Sequence, residues 1–127
     1  MRAALLDTHA LIWFLEDDRR LSPVAREAIA PRANRILISA ASLWEMGIKV
    51  ATGRLEFTED PLIASEREGI ESLPVTPEHA WSSRSLPLRR DHKDPFDRMI
   101  AAQALSERIP VISADPSFDS YGVERIW

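Results

Sequence analysis

The stretch DHKDPFDRMIAAQAL, from Asp91 to Leu105, sets two carboxylates, Asp94 and Asp97, three residues apart at the head of a strongly helical run. Three more acids stand at or near apolar runs elsewhere: Asp7 after AALL, Glu45 within SAASLWEMGIK, and Asp115 after VISA. Carboxylates gathered in one place repel one another unless a cation neutralises them. An oxygen-only donor set selects a hard ion, Mg2+ or Mn2+, over zinc. Such an ion polarises a phosphate, lowers the pKa of an attacking water and stabilises the leaving oxygen, so the chemistry in view is phosphoryl chemistry. Arg84, Arg89, Arg90, Lys93 and Arg98, with His92 among them, crowd the same stretch. They are candidates for phosphate contact, with a solvated loop as the plainer alternative.

Each acid also has a structural explanation. Asp94 has the chemistry of a helix N-cap, Pro95 sits where the first helical residue would be, and Asp97 falls at the third position. Acids there complement the helix dipole by roughly 0.3–1 kcal/mol each. Glu45 and Lys49 are spaced as an exposed i,i+4 pair, worth about 0.3–0.5 kcal/mol. Whether chemistry overtakes structure depends on whether the acids converge, and that depends on the elements that carry them.

Ala3 to Leu6 reads as a buried strand ending at Asp7, which would cap a helix from Thr8 to Leu15. That helix is apolar nearly all round from Ala10 to Leu15, as if deeply buried or covered by a partner. Ser22-Pro23 opens a second helix. Ile36 to Ile38 is the next strand, and Ser39 then starts a helix closed by Gly53, on which Ser42, Glu45, Lys49 and Thr52 form one polar stripe. Asp60-Pro61 and Thr76-Pro77 repeat the cap-then-Pro signature, with a short strand expected around Leu73 to Val75 between them. After Leu86-Pro87 come the basic loop and the helix of Asp97, which ends near Arg108. Val111 to Ser113 is a last buried strand, and the tail VERIW is suited to an edge strand. Strands alternating with helices argue for an α/β domain with a mainly parallel sheet, whose ligands collect beyond the carboxyl ends of the strands. Ordinary right-handed winding brings Asp7, Glu45 and Asp115 to that edge, and the helix of Asp97 runs back from it.

At 127 residues the chain suits a single domain, 1–127, with a real core. The absence of cysteine excludes disulfides, thiolate nucleophiles and thiolate metal sites. Asp7 and His9 interrupt the one run that looks like a signal peptide, and no stretch approaches the ~20 apolar residues of a membrane span, so a soluble cytoplasmic protein is expected. A net charge of -4 argues against a broad nucleic-acid-gripping surface but allows phosphate contact through bound cations. His9, His79 and His92 lack paired ligand spacing and read as structural or surface residues, with His92 notable for adjoining the acids. There is no GxGxxG, P-loop or G-x-S-x-G elbow.

The segments LLDTHALIW, SAASLWEMGIK, DHKDPFDRMIAAQAL and VISAD, with the closing YGVERIW, resemble the PIN-domain ribonucleases, specifically VapC-type toxins of bacterial type II toxin–antitoxin pairs. The resemblance covers essentially the whole chain in order and spacing. It implies a three-layer α/β fold with a central, mainly parallel five-stranded sheet flanked by helices. It further implies a metal-dependent endoribonuclease whose catalytic acids are Asp7, Glu45, Asp97 and Asp115. Asp7 and Asp97 would ligate Mg2+ or Mn2+ directly, with Asp115 completing the set directly or through water. Glu45 would hold a second ion or orient the attacking water. Asp94 and Ser113 would stand behind these ligands, Ser113 where relatives often carry Thr. Arg89, Arg90, Lys93 and Arg98 would contact RNA phosphate. Expected partners are an RNA substrate, a homodimer mate, and a cognate antitoxin that inserts a peptide near the acids, with Ala10 to Leu15 a candidate contact surface. Two other readings are a catalytically silent PIN-like module acting only through its protein complex, and a receiver-like phosphotransfer domain. The latter would want a Lys where Ser113 and Ala114 stand.

Overall fold

Five short strands pair entirely in parallel: β1 (Ala3–Leu6), β2 (Arg35–Ser39), β3 (Glu71–Leu73), β4 (Val111–Ile112) and β5 (Arg125–Ile126). Their order across the sheet is β3-β2-β1-β4-β5, which puts the first strand in the middle. The structure, a computed structural model, describes residues 3–88 and 94–127. β1 pairs Leu6 with Ile38 on one side and with Ile112 on the other.

The alternation of side chains along each strand feeds two cores, one per face of the sheet. Ala4, Leu6, Ile36, Ile38 and Ile112 join one cluster with Leu11, Ile29 and Met46. Leu5, Leu37 and Val111 join the other with Ile100, Ala104 and Phe118. Burial on both faces is why the strands read as continuous apolar runs and not as alternating ones. Each fully buried Leu or Ile contributes about 1.5–3 kcal/mol.

The helices begin where the caps place them. α1 (Thr8–Leu15) is capped by Asp7, α2 (Pro23–Ile29) by Ser22, and α3 (Ala40–Ala51) by Ser39. α4 (Pro61–Arg67) is capped by Asp60, α5 (Pro77–Ser82) by Thr76, and α6 (Pro95–Glu107) by Asp94. Two 3₁₀ segments, Ser83–Ser85 and Pro116–Tyr121, were not foreseen from the sequence. α3 ends at Thr52 with Gly53 next, at φ +74, a left-handed position that favours glycine. Among the described residues no helix is long and apolar enough to cross a membrane.

Two expectations are corrected. The strand expected at Leu73 to Val75 lies two residues earlier, because its ladder partners Leu37 to Ser39 set the register and Pro74, lacking an N–H, ends the pairing. The run Ala10 to Leu15 is core in its first half and only partly buried in its second. Ala10, Leu11 and Ile12 are buried, and Trp13, Phe14 and Leu15 pack against the same cluster. Large apolar side chains left exposed include Trp44, Ile48 and Val50 on α3 and Leu62 and Ile63 on α4.

Candidate active site

The carboxyl edge of the sheet is built from three strand ends and two helix starts. At the end of β1 the Asp7 N–H donates to the Ile112 carbonyl at 3.1 Å, which fixes the backbone of Asp7 against β4. Its carboxylate then has two anchors. Oδ1 accepts from the Ala10 N–H at 2.7 Å, and Oδ2 accepts from the Ser113 hydroxyl. The Ser113 oxygen in turn accepts from the Asp115 N–H at 2.9 Å. The Asp115 carboxylate caps the 3₁₀ helix through the Ser117 N–H, also at 2.9 Å. Asp7, Ser113 and Asp115 are therefore one hydrogen-bonded unit spanning the first and fourth strands.

Glu45 enters from α3. Only 8% of it is exposed, which corrects the expectation of a solvent-facing pair with Lys49. Its Oε1 accepts from the Thr8 hydroxyl at 2.6 Å, and Oε2 lies 3.3 Å from the Lys49 ammonium. The N-terminal half of the polar stripe, Ser42 and Glu45, faces inward, while Thr52 stays exposed and bonds back to the Ile48 carbonyl. Thr8 is the residue that sequence reasoning passed over. Its only signal was a hydroxyl adjoining the acid at the end of β1, and no spacing rule points to a partner 37 positions away.

Asp97 occupies the first turn of α6, half-buried. Burial, with the carboxylates of Asp94, Asp7, Glu45 and Asp115 adding repulsion in that order, pushes its carboxyl up to about 7. Asp7 is also raised by burial, against the opposing pull of the Ser113 and Ala10 hydrogen bonds. Asp97 thus senses all four other acids picked out in the sequence. Asp94 performs the capping role, accepting from the Phe96 N–H at 2.8 Å and the Asp97 N–H at 3.2 Å.

The basic candidates divide. Arg98 donates to the carbonyls of Pro87 at 2.7 Å and Ser83 at 3.1 Å and lies 5.8 Å over the Tyr121 ring, so its guanidinium holds the segment from Ser83 to Pro87. A phosphate contact would have to draw it off those carbonyls. Arg89, Arg90, His92 and Lys93 lie outside the described residues. Arg84 is exposed and stacks 4.4 Å over Trp81. His79 is buried and structural, its Nδ1 accepting from the Thr76 N–H and its Nε2 facing Glu107 at 3.0 Å. His9 is exposed, its ring 5.6 Å from Trp13.

The family model for the PIN domain matches residues 4–124. The chain belongs to the PIN-domain family. Among individual relatives, this PIN domain is 27% identical over 123 residues to Ribonuclease VapC22 of Mycobacterium tuberculosis, covering 95% of this chain and 93% of that protein. Its fold is similar to that of VapBC2 from Rickettsia felis bound to a promoter DNA fragment, with TM-score 0.68, 15% identity, and 97% and 96% of the two chains covered. VapBC-5 of Mycobacterium tuberculosis, a member of the VapBC family of toxin–antitoxin systems, gives TM-score 0.59 at 24% identity, covering 94% and 90%. At these identities the two structures speak for the fold alone, and that fold is the five-stranded parallel sheet described above.

Proposed function

We propose that this PIN domain is a divalent-metal-dependent endoribonuclease and the toxin of a type II toxin–antitoxin pair, working in the cytoplasm. The observation that carries the reading is Asp97, whose carboxyl is pushed up to about 7 by burial and by four other acids at the carboxyl edge of a parallel sheet. The name of the 27% identical relative, a ribonuclease, and the toxin–antitoxin complexes with this fold support it.

The donor set fits a hard cation. It is all oxygen, and its members Asp7 and Asp97 are desolvated and repel each other. Asp7 and Asp97 would hold Mg2+ or Mn2+, with Asp115 joining directly or through water. Among the described residues no three such side chains stand close enough together to hold an ion by themselves in this conformation. When bound, the ion supplies Lewis-acid polarisation of the phosphate and a more acidic water.

The remaining work falls to the chain. Ser113 and the Ala10 N–H fix the direction of the Asp7 carboxylate. Thr8 and Lys49 hold both oxygens of Glu45, which orients that carboxylate to accept from a water. Arg89, Arg90 and Lys93 are the cations assigned to substrate phosphate. Homodimer formation and an antitoxin reaching the acids, with an Arg to pair with them, complete the proposal.

RNA cleavage assayed with Mg2+, with Mn2+ and with EDTA tests the mechanism, alongside Asp7→Asn and Asp97→Asn. The expected result is cleavage that stops in EDTA and falls at least about a hundredfold in either variant. EDTA-insensitive cleavage, or full activity in both variants, would sink it. A protein that binds antitoxin but never cuts RNA is instead the silent module.

A further inference from the structure

The acids are not the only unusual feature at this edge. Between the N-terminal turns of α3 and α6 lies a cavity of about 440 Å3 with an apolar lining that includes Ala41, Trp44, Val75, Phe96 and Met99. Trp44 and Phe96 meet edge to face across it, ring centroids 5.2 Å apart and planes at 74°. Trp44 nevertheless remains 67% exposed. A tryptophan is highly buried in most proteins, so a large ring held in water on the rim of an apolar hollow marks a contact surface.

The position of the hollow narrows the occupant. Trp44 immediately precedes Glu45 on α3, and Phe96 immediately precedes Asp97 on α6. Successive side chains on a helix point about 100° apart, so the aromatic hollow and the acids lie on different faces of the same two helices, α3 and α6, which pack on each other. A single strand whose phosphodiester lies over the acids must put a neighbouring base somewhere close by, and this hollow between the same two helices is one concavity, among the described residues, that could receive it.

We propose that the cavity is a nucleobase pocket, in which an unpaired base flanking the cleaved bond stacks on Trp44 with its edge toward Phe96. The proposal rests on the ribonuclease reading and deepens it. Stacking on an aromatic face is open to every base, and a pocket without polar lining offers little for reading a base edge. The pocket therefore fixes the register of the strand over the acids without selecting base identity. It also requires its substrate to be single-stranded at that step, because a paired base is not free to enter. Ile48, one turn beyond Trp44, is also partly exposed, so a protein partner is the rival occupant of this face.

Abasic scanning separates the two. Take an RNA oligonucleotide with one cut site, place a single abasic nucleotide at each flanking position in turn, and measure kcat and KM for wild type, Trp44→Ala and Trp44→Phe. Circular dichroism and light scattering are recorded on each protein. For wild type, one flanking position loses about tenfold in kcat/KM when its base is removed, mainly through KM. Trp44→Ala shows a similar loss on intact RNA and no further loss at that position, while Trp44→Phe recovers most of it.

A flat scan in wild type overturns the pocket, as does an equal abasic penalty in wild type and Trp44→Ala. So does a Trp44→Ala protein with unchanged RNA kinetics and an altered oligomer mass by light scattering, which gives the face to a second copy or another protein. Absence of any cleavage by wild type brings down the ribonuclease reading and the pocket with it, whereas cleavage with a flat scan removes the pocket alone.

Discussion

Ser113 stands 106 positions from Asp7 in the chain, yet its hydroxyl donates to the Asp7 carboxylate and accepts from the Asp115 N–H. One oxygen thereby aligns two acids carried by different strands. Groups that orient a metal-binding carboxylate are worth about 10–100-fold in metal affinity or activity. Ser113→Ala is accordingly expected to weaken Mn2+ binding by about that factor while the protein still folds, and Ser113→Thr to restore it. Isothermal titration of the two variants checks this, and unchanged affinity in Ser113→Ala rules the alignment role out. At this scale the sequence was informative about which acids end strands and silent about what holds them. Asp7 and Asp115 were legible because each follows an apolar strand. The Thr8–Glu45 bond was not, because nothing local in either residue's neighbourhood names the other.

The six helices show which features of an element can be read locally. Ser22, Asp60, Thr76 and Asp94 each precede a proline and each caps a helix, because the proline ring is preorganised for the first turn and the side-chain oxygen meets an orphan N–H. The register of β3 could not be read this way, since it is decided by pairing with β2. At the other end of α6, Arg108 takes a left-handed conformation at φ +59 without being glycine. That conformation strains any side chain bearing a Cβ. Arg108→Gly is expected to stabilise the protein by about 0.5–1 kcal/mol, read as a higher urea midpoint at unchanged m-value. No change in midpoint would mean that the Arg108 side chain offsets its own backbone strain.

Across the whole molecule, burial of Asp97, with acid repulsion added to it, makes stability depend on pH in an unusual direction. The Asp97 carboxyl sits at about 7 in the fold against 3.8 as an ordinary aspartate. Below 3.8 the group is protonated in both states and has no effect. Between 3.8 and about 7 the unfolded chain ionises first, so the contribution of Asp97 falls as pH rises, and above 7 the penalty is complete. A divalent cation offsets that penalty by pairing the buried carboxylate with opposite charge and relieving the acids' repulsion. The melting temperature should therefore rise more with Mn2+ at pH 7.5 than at pH 5.5, and Asp97→Asn should lose that difference. Equal shifts at both pH values in the unaltered protein would contradict this account of Asp97. The double-faced sheet was foreseeable from the continuous apolar runs. The inward burial of Ala10 to Ile12 was not, because an all-apolar helix looks the same whether its cover is its own core or another protein.

The place of β1 at the centre of the sheet also has a bearing on the order of events during synthesis. The first strand made must wait for β4, more than a hundred residues later, before its second edge is paired. Because the acids are divided between the two ends of the chain, no nascent chain interrupted before Val111 can assemble them. On the proposed assignment of the acids, a growing chain of this protein lies beside the ribosome's own RNA without the full acid set until β4 has been made.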